Sequence, residues 1–275
     1  MFKIVVFLSL LVSHGMAYSM FESERAINER HYKLIHAIKD VVISTQKTRG
    51  LTNNYMNGNV VAQLLVYGQR KQMLDNFETI DKSFKELELS SQYYEDASAL
   101  MLRSKFLNKS AFKSDSSRVF ASYSGVIEKW MELNAKVIKA RFIDADETVY
   151  KDLNFLNQVL LPLSENIGKM RGLGSGLVAK GYCNKKEAKT MEGFVSEIQR
   201  YAMLLKYHMS ARGHENMGFS EVKSIHKSIK DYMELTKRKV IGQYEIELVT
   251  NEYFDQGTDN ISKILKIYNI ISSAL

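Results

Sequence analysis

Apolar residues recur at the spacing of a single helix face through the first long segment of the chain, residues 22–57. Ile35, Val42 and Met56 lie seven or fourteen residues apart, and Ile38 joins the same stripe. This spacing is typical of an amphipathic helix with one face packed inside a bundle. The first helix-breaking pair is Asn57-Gly58, so we predict one long helix that ends there.

The same helical periodicity continues through the rest of the chain. We predict further helices over residues 60–89, 92–110, 116–142, 147–180, 184–212, 220–247 and 259–273. Acidic residues at 144–147 and Asn184 are helix caps, and Gly181 closes a helix. Pro162, the single proline, predicts a kink within 147–180. Few breakers and short links favour an all-α protein of seven or eight long antiparallel helices packed as bundles.

A weak internal repeat predicts two similar halves. Arg49-Gly50-Leu51 in the first half matches Arg171-Gly172-Leu173 in the second, and each run is followed by a closing glycine. The distance to that glycine differs by one residue between the halves. The two tripeptides are therefore predicted to occupy matching helices.

The first seventeen residues have the features of a signal peptide. Lys3 precedes a short apolar run at residues 4–12, and Gly15 and Ala17 are small residues before the predicted cleavage point. The run is about half the ~20 residues that a membrane-spanning helix needs. We predict a signal peptide at 1–17 and an exported mature chain at 18–275, periplasmic or secreted. An uncleaved N-terminal anchor is the alternative.

Charge and composition narrow the classes of partner. The formal net charge is +7, and removing Lys3 with the signal peptide leaves +6. This balance suits an anionic ligand, but the basic residues are dispersed, so we expect no nucleic-acid partner.

Cys183 is the lone cysteine and cannot form an internal disulfide. The histidines lack metal-ligand spacing, and no cofactor motif or catalytic constellation is present, so we expect neither metal nor cofactor nor enzymatic activity.

Arg49 is the most informative residue of the first half. It lies in the same stripe as Ile35 and Val42, so its side chain is predicted to face the bundle interior. A guanidinium stays charged when buried, and leaving it unpaired costs several kcal/mol. Something anionic must therefore meet it. One alternative is a structural ion pair with a carboxylate of a neighbouring helix; the other is a small anionic ligand.

A glycine stripe marks the matching region of the second half. Gly168, Gly172 and Gly176 recur every four residues, with Gly174 between them and Arg171 alongside. Each glycine inside a helix costs up to ~1 kcal/mol relative to alanine, so the stripe requires a reason. The first alternative is close packing of another helix, and the second is room for a ligand beside Arg171.

Two buried arginines on matching helices could chelate one small planar oxyanion, such as nitrate, nitrite or a carboxylate, through forked hydrogen bonds. Thr52 lies on the same helix face as Arg49 and is a candidate for the pocket wall. The full candidate ligand-binding set is Arg49, Arg171, Thr52, Gly50, Gly172, Gly174 and Ser175.

Three short motifs resemble the nitrate- and nitrite-sensing (NIT) family. The run Gln46-Lys47-Thr48-Arg49-Gly50-Leu51 is similar to its first motif, and residues 165–176 are similar to its second. Residues 253–258, leading into Asn260, resemble the polar turn before its last helix. The resemblance spans residues 22–273. It implies two four-helix bundles, nitrate or nitrite recognition by Arg49 and Arg171, and signalling through an attached output domain.

Two departures from the family pattern shape the functional hypothesis. Thr48 stands where the family usually has an acidic residue, and we expect no output domain after the last helix. We therefore expect an exported sensor of a small oxyanion that reports to a membrane receptor or sensor kinase. A homodimer is a further expectation. The alternative is a structural or adaptor bundle in which both arginines are paired internally and no small ligand exists.

Overall fold

The structure, a computed structural model, describes the backbone of residues 2–87, 89, 91–144, 146–211 and 219–275. Side chains are described from residue 24 onward, apart from the same gaps and residues 211–221. The predicted signal peptide at 1–17 lies outside the described side chains. Residues 213–218, which the sequence places in a loop between the helices predicted at 184–212 and 220–247, lie outside the described residues altogether.

All regular structure in the described residues is helical, which confirms the all-α prediction. The helices are α1 (Phe2–Met56), α2 (Ala62–Lys85), α3 (Ser91–Ser110), α4 (Ser116–Phe142), α5 (Glu147–Phe155), α6 (Leu161–Lys180), α7 (Lys185–Ala211), α8 (Phe219–Lys239) and α9 (Thr250–Ser272). A π-helical segment, Leu156–Leu160, joins α5 to α6. Counting that continuous stretch as one helix gives eight in the described chain, as predicted.

Local signals in the sequence set several helix ends as expected. The Asp146 side chain accepts hydrogen bonds from the backbone N–H groups of Thr148 and Val149 at the start of α5. Asn184 and Glu187 form a reciprocal capping box at the start of α7, with contacts of 3.0 and 2.9 Å. Gly181 ends α6 at φ 86°, a left-handed conformation that glycine adopts without strain.

The helices form two bundles around two central members. In the first, α1 packs on α2 and α4, and α3 packs on α4; in the second, α6 packs on α7 and α9, with α8 against α9. The central helices α1 and α6 also pack on each other, which joins the bundles. Burial of the apolar stripes drives this arrangement, since Ile35, Ile38 and Val42 are at most 1% exposed.

The irregularity predicted at Pro162 lies just ahead of it. Pro162 occupies the first turn of α6, where its missing N–H is tolerated. The segment Leu156–Leu160, which ends two positions before Pro162, has π geometry, which places one extra residue in a turn. The helix therefore continues from α5 through the π-helical turn into α6 without a break at the proline.

The predicted boundaries of the last two helices are wrong. Helix α8 ends at Lys239, not 247, and α9 begins at Thr250, not 259. Gly242 has φ 71°, and the chain after it pairs with the α6–α7 link: Cys183 N–H donates to Gln243 O and Ile246 N–H to Gly181 O, each at 2.8 Å. These bonds hold the segment extended. Because α9 already begins at Thr250, residues 253–258 are helical and do not form the expected polar turn.

Within the described residues, no helix combines the length and the apolar character that crossing a lipid bilayer requires.

Candidate functional site

Helices α1 and α6 cross backbone to backbone at Gly50 and Gly172. A Cβ built on Gly172 would lie 3.0 Å from the Gly50 Cα, and one built on Gly50 would lie 3.5 Å from the Gly172 Cα. The backbone of α1 therefore favours glycine at position 172, while at position 50 the tight neighbour is the Phe254 ring, 3.0 Å from the Cβ position. The crossing places Arg49 and Arg171, each one residue earlier, beside the contact between the bundles.

Arg49 forms a buried, two-point ion pair with Glu165 of α6. Its Nη1 lies 2.5 Å from Glu165 Oε1 and its Nη2 lies 3.2 Å from Oε2. The two side chains are 0% and 2% exposed. Nη1 also donates to the Ser124 hydroxyl at 2.9 Å, and the guanidinium lies over the Phe120 ring, 4.9 Å from its centroid. The ion-pair alternative for Arg49 is therefore the observed one.

Arg171 is equally buried but has a different set of neighbours. The residue is 2% exposed, and its Nη1 donates to the Thr258 hydroxyl at 2.9 Å. Its guanidinium lies over the Phe254 ring, 4.5 Å from the centroid. Among the described side chains no carboxylate lies within ion-pair distance of it, and its Nε makes no hydrogen bond. Arg171 thus carries a positive charge without a carboxylate partner among the described residues.

The surroundings of Arg171 disfavour its charge. Burial, the largest influence, lowers its pKa to about 10. The nearby Tyr232 raises the pKa of Arg171, and the positive charge of Arg49 lowers it further. The negative charges of Glu165 and Asp255 raise it. The guanidinium remains protonated at neutral pH. A bound anion would therefore relieve a real electrostatic cost.

The two arginine environments correspond contact by contact. Phe120 and Ser124 of α4 lie four residues apart, as do Phe254 and Thr258 of α9, and each pair supplies one ring face and one hydroxyl to an arginine. The two hydroxyls themselves donate to the carbonyls of Phe120 and Phe254, both at 2.9 Å. The short repeat in the sequence therefore has a structural counterpart.

The environments of Arg49 and Arg171 differ in one respect, the carboxylate partner. Glu165 precedes Arg171 by six residues, and the residue six before Arg49 is Ile43. Arg49 receives a carboxylate from α6, whereas Arg171 has an apolar residue at the matching position of α1. This single difference makes one arginine paired and the other unpaired.

Neighbouring side chains fill the space above the glycine stripe. A Cβ on Gly168 would lie 3.3 Å from Arg49 Nη2, and one on Gly172 would lie 3.1 Å from Phe120 Cε2. A Cβ on Gly174 would overlap the Tyr253 ring, and one on Gly176 would overlap Asn53. Close packing, the first alternative, accounts for these four glycines.

The other candidate residues lie around the crossing without a demonstrated ligand role. Thr52 is 0% exposed and its hydroxyl has no hydrogen-bond partner. Ser175 donates to the Gly172 carbonyl at 3.3 Å. Gln46, which was not among the predicted ligands, is 0% exposed and both polar atoms of its amide lack partners. Its Oε1 and the Arg49 Nη2 lie on the same side of Gly168, 3.2 and 3.3 Å from the position of a Cβ built there.

A cavity of about 380 Å³ approaches the Arg49 side of the crossing. It lies between α1, α4, α6 and α7, and both Phe120 and Ser124 line it. Lys169, on its wall, binds Glu128 at 2.9 Å and lies 3.9 Å from Glu165. The cavity is large enough to admit a small anion as far as the residues that hold Arg49.

Sequence reasoning missed the four residues that position the guanidinium groups: Phe120, Ser124, Phe254 and Thr258. The shared pattern of an aromatic residue followed four positions later by a hydroxyl residue could have revealed them. Glu165 was noted only as the start of a motif, because a partner on another helix cannot be assigned from spacing along one chain.

Two helical bundles joined at a glycine crossing, with buried guanidinium groups at the junction, place the described chain in the all-α class. The sequence matches the family described as nitrate and nitrite sensing (NIT) over residues 40–273. The chain therefore belongs to the NIT family, which confirms the resemblance predicted from its motifs.

A solved structure has the same fold. The NasR transcription antiterminator superposes with a TM-score of 0.72 over 97% of this chain and 73% of that chain, at 10% sequence identity. This similarity supports the helical architecture. A search of curated proteins finds no match to the sequence.

Proposed function

We propose that this protein is an exported sensor of nitrate, nitrite or a similar small monovalent oxyanion. Family membership supports nitrate or nitrite as the ligand class. The observation that carries the proposal is the Arg171 guanidinium, 2% exposed and without a carboxylate partner among the described residues. A fixed buried charge of this kind is a binding site for a small anion.

In this proposal the anion binds at the crossing beside Arg171. The free Nε of Arg171 and the free amide of Gln46 supply hydrogen-bonding capacity that the fold leaves unused. Gly50, Gly172, Gly174 and Ser175 shape the backbone around the site. The buried ion pair between Arg49 and Glu165 lies on the other side of this anion site.

Signalling follows from the position of the site between the bundles. An anion that binds there changes the electrostatic balance at the α1–α6 contact, and so favours one packing of the bundles over another. The chain would transmit this change to a membrane receptor or sensor kinase. NasR, the similar structure, is itself a transcription antiterminator, so a regulatory output is consistent with the fold.

Thermal unfolding of the full chain tests anion binding. Sodium nitrate and sodium nitrite are titrated at constant ionic strength made up with sodium chloride. A ligand at 100 times its Kd adds about 2.7 kcal/mol to the free energy of unfolding, and each kcal/mol raises the Tm by roughly 2–4 °C. We expect a saturable rise in the wild type and none in Arg171→Met. Arg200→Gln, an exposed control on α7, keeps the response.

The proposal is wrong if neither nitrate nor nitrite raises the wild-type Tm beyond chloride. It is also wrong if Arg171→Met keeps the full response. The ion pair between Arg49 and Glu165 favours the second candidate function, a structural or adaptor bundle without a small ligand. That function predicts no anion-dependent shift in any variant.

Export is tested by cell fractionation and mass spectrometry of the full chain expressed in a bacterium. Cleavage after Ala17 gives a periplasmic product that begins at Tyr18. An uncleaved chain in the membrane fraction indicates an anchor, and an uncleaved chain in the cytoplasm contradicts export.

A further inference from the structure

Few charged groups of the described residues face the crossing, so their formal charges can be added to give the net charge there. Arg49 and Arg171 contribute two positive charges to the interior, and Glu165 contributes one negative charge. Lys169 and Glu128 pair with each other at the margin, with side chains 17% and 52% exposed, and cancel. Asp255 is exposed, so solvent screens it. Arg49, Arg171 and Glu165, the buried charged groups at the crossing among the described residues, therefore carry a net charge of one positive unit.

Glu165 acts on both guanidinium groups. It binds Arg49 directly, through both oxygens. Its charge also reaches Arg171, where it favours the protonated form and raises the pKa. One carboxylate thus sets the electrostatic balance of the whole site, and not only that of its hydrogen-bonded partner.

We propose that Glu165 is a specificity-determining residue that restricts the site to anions of a single negative charge. The inference rests on the proposed function and deepens it by assigning the valence of the ligand. One monovalent anion brings the interior to neutrality. A divalent anion such as sulfate leaves an excess negative charge in a site of low dielectric, which is costly.

The same reasoning explains why shape alone is a weak filter here. Guanidinium groups bind carboxylate, nitrate, sulfate and phosphate through similar forked hydrogen bonds. Without Glu165, two positive charges would face the ligand and would suit a divalent oxyanion. The carboxylate on Arg49 occupies one of the two forks in advance.

The test compares nitrate, nitrite and sulfate binding to the full chain by isothermal titration calorimetry at matched ionic strength. In the wild type we expect sulfate to bind at least about tenfold more weakly than the preferred monovalent anion, a difference of about 1.4 kcal/mol. In Glu165→Gln we expect this preference to disappear or reverse, with sulfate affinity rising roughly tenfold or more. Glu128→Gln, which removes a marginal carboxylate, keeps the wild-type preference.

A second variant protects the test if Glu165→Gln fails to fold. Gln46→Glu places a second carboxylate beside Arg49 and brings the interior to neutrality without any ligand, so we expect it to abolish nitrate and nitrite binding. The double variant Gln46→Glu with Glu165→Gln has the wild-type charge sum. We expect it to regain binding with a monovalent preference.

The outcomes separate the two proposals. If no anion binds either the wild type or Glu165→Gln, the proposed function itself is wrong. If nitrate or nitrite binds the wild type but Glu165→Gln keeps the same discrimination against sulfate, only the valence role of Glu165 is overturned. The same holds if Gln46→Glu binds nitrate as tightly as the wild type.

Discussion

Arg49 and Glu165 lie 116 residues apart in the sequence and neutralise each other inside the protein, with Nη1 2.5 Å from Oε1. Arg171, which corresponds to Arg49 in the second half, has no such partner among the described residues. The two arginines therefore differ in what their removal does to stability.

Replacing Arg49 is expected to destabilise the fold much more than replacing Arg171. Arg49→Met leaves the buried Glu165 carboxylate without its two-point partner and with only Lys169, 3.9 Å away, which costs up to about 3–5 kcal/mol. Arg171→Met removes an unpaired buried charge and is expected to be neutral or stabilising. Chemical denaturation of both variants measures the difference. Arg49→Met with Glu165→Leu is the control, because removing both partners restores most of the lost stability. Equal losses in the two single variants would contradict this prediction.

The hydroxyl groups on the two arginines are expected to have unequal importance. Thr258→Val removes the hydrogen bond from the Arg171 Nη1 and leaves a buried charged donor unsatisfied, at a cost of about 1–3 kcal/mol. Ser124→Ala removes the matching bond at Arg49, but Glu165 still accepts from that guanidinium. We expect a smaller loss for Ser124→Ala in urea unfolding, and a larger one would show that the Glu165 pair does not sustain Arg49.

The glycine contact at the crossing is expected to be intolerant of a methyl group. A Cβ at position 172 would lie 3.0 Å from the Gly50 Cα and 3.1 Å from Phe120 Cε2, so Gly172→Ala forces α1 and α6 apart. Overpacking of this kind costs about 1–3 kcal/mol. The matched control is Gly193→Ala in α7, where a Cβ meets nothing within 4 Å. That variant is expected to gain up to ~1 kcal/mol. A stable Gly172→Ala would contradict the tight crossing.

Stability is expected to fall as the pH drops below 6.5. Burial, the largest influence, lowers the pKa of both His31 and His36 below the ordinary value of 6.5. The unfolded chain then binds more protons than the folded one in mildly acidic solution, so stability is complete above pH 6.5 and lost below it. Urea midpoints at pH 7.5 and 5.5 measure this loss. The double variant His31→Gln with His36→Gln is expected to lose less stability between these pH values than the wild type.

The sequence predicted the helices and the burial of the two arginines, because both depend on spacing along a single helix. Ile35, Val42 and Arg49 share one stripe, and the structure buries all three. The repeated Arg-Gly-Leu tripeptides also indicated matching helices. These features are local, so periodicity is sufficient to find them.

The partners of the arginines could not be predicted in the same way. Whether Arg49 meets Glu165 or an external anion depends on the angle and register at which α1 crosses α6, which no single-helix pattern contains. The start of α9 was misplaced for a related reason. Residues 253–258 were expected to form a turn by resemblance to the family, but they are helical, and a Cβ on Gly257 would lie 2.8 Å from Arg171 Cβ. Glycine is present there to let a helix pack on Arg171.

The crossing at Gly50 and Gly172 also has a mechanical consequence. Because neither residue has a side chain, no change of rotamer can absorb a displacement at this point. Any relative movement of α1 and α6 must shift whole backbones, and with them the Phe254 ring that lies 3.0 Å from the Cβ position of Gly50. We therefore expect a tilt of α1 to displace α6 with it, and so to couple the two bundles.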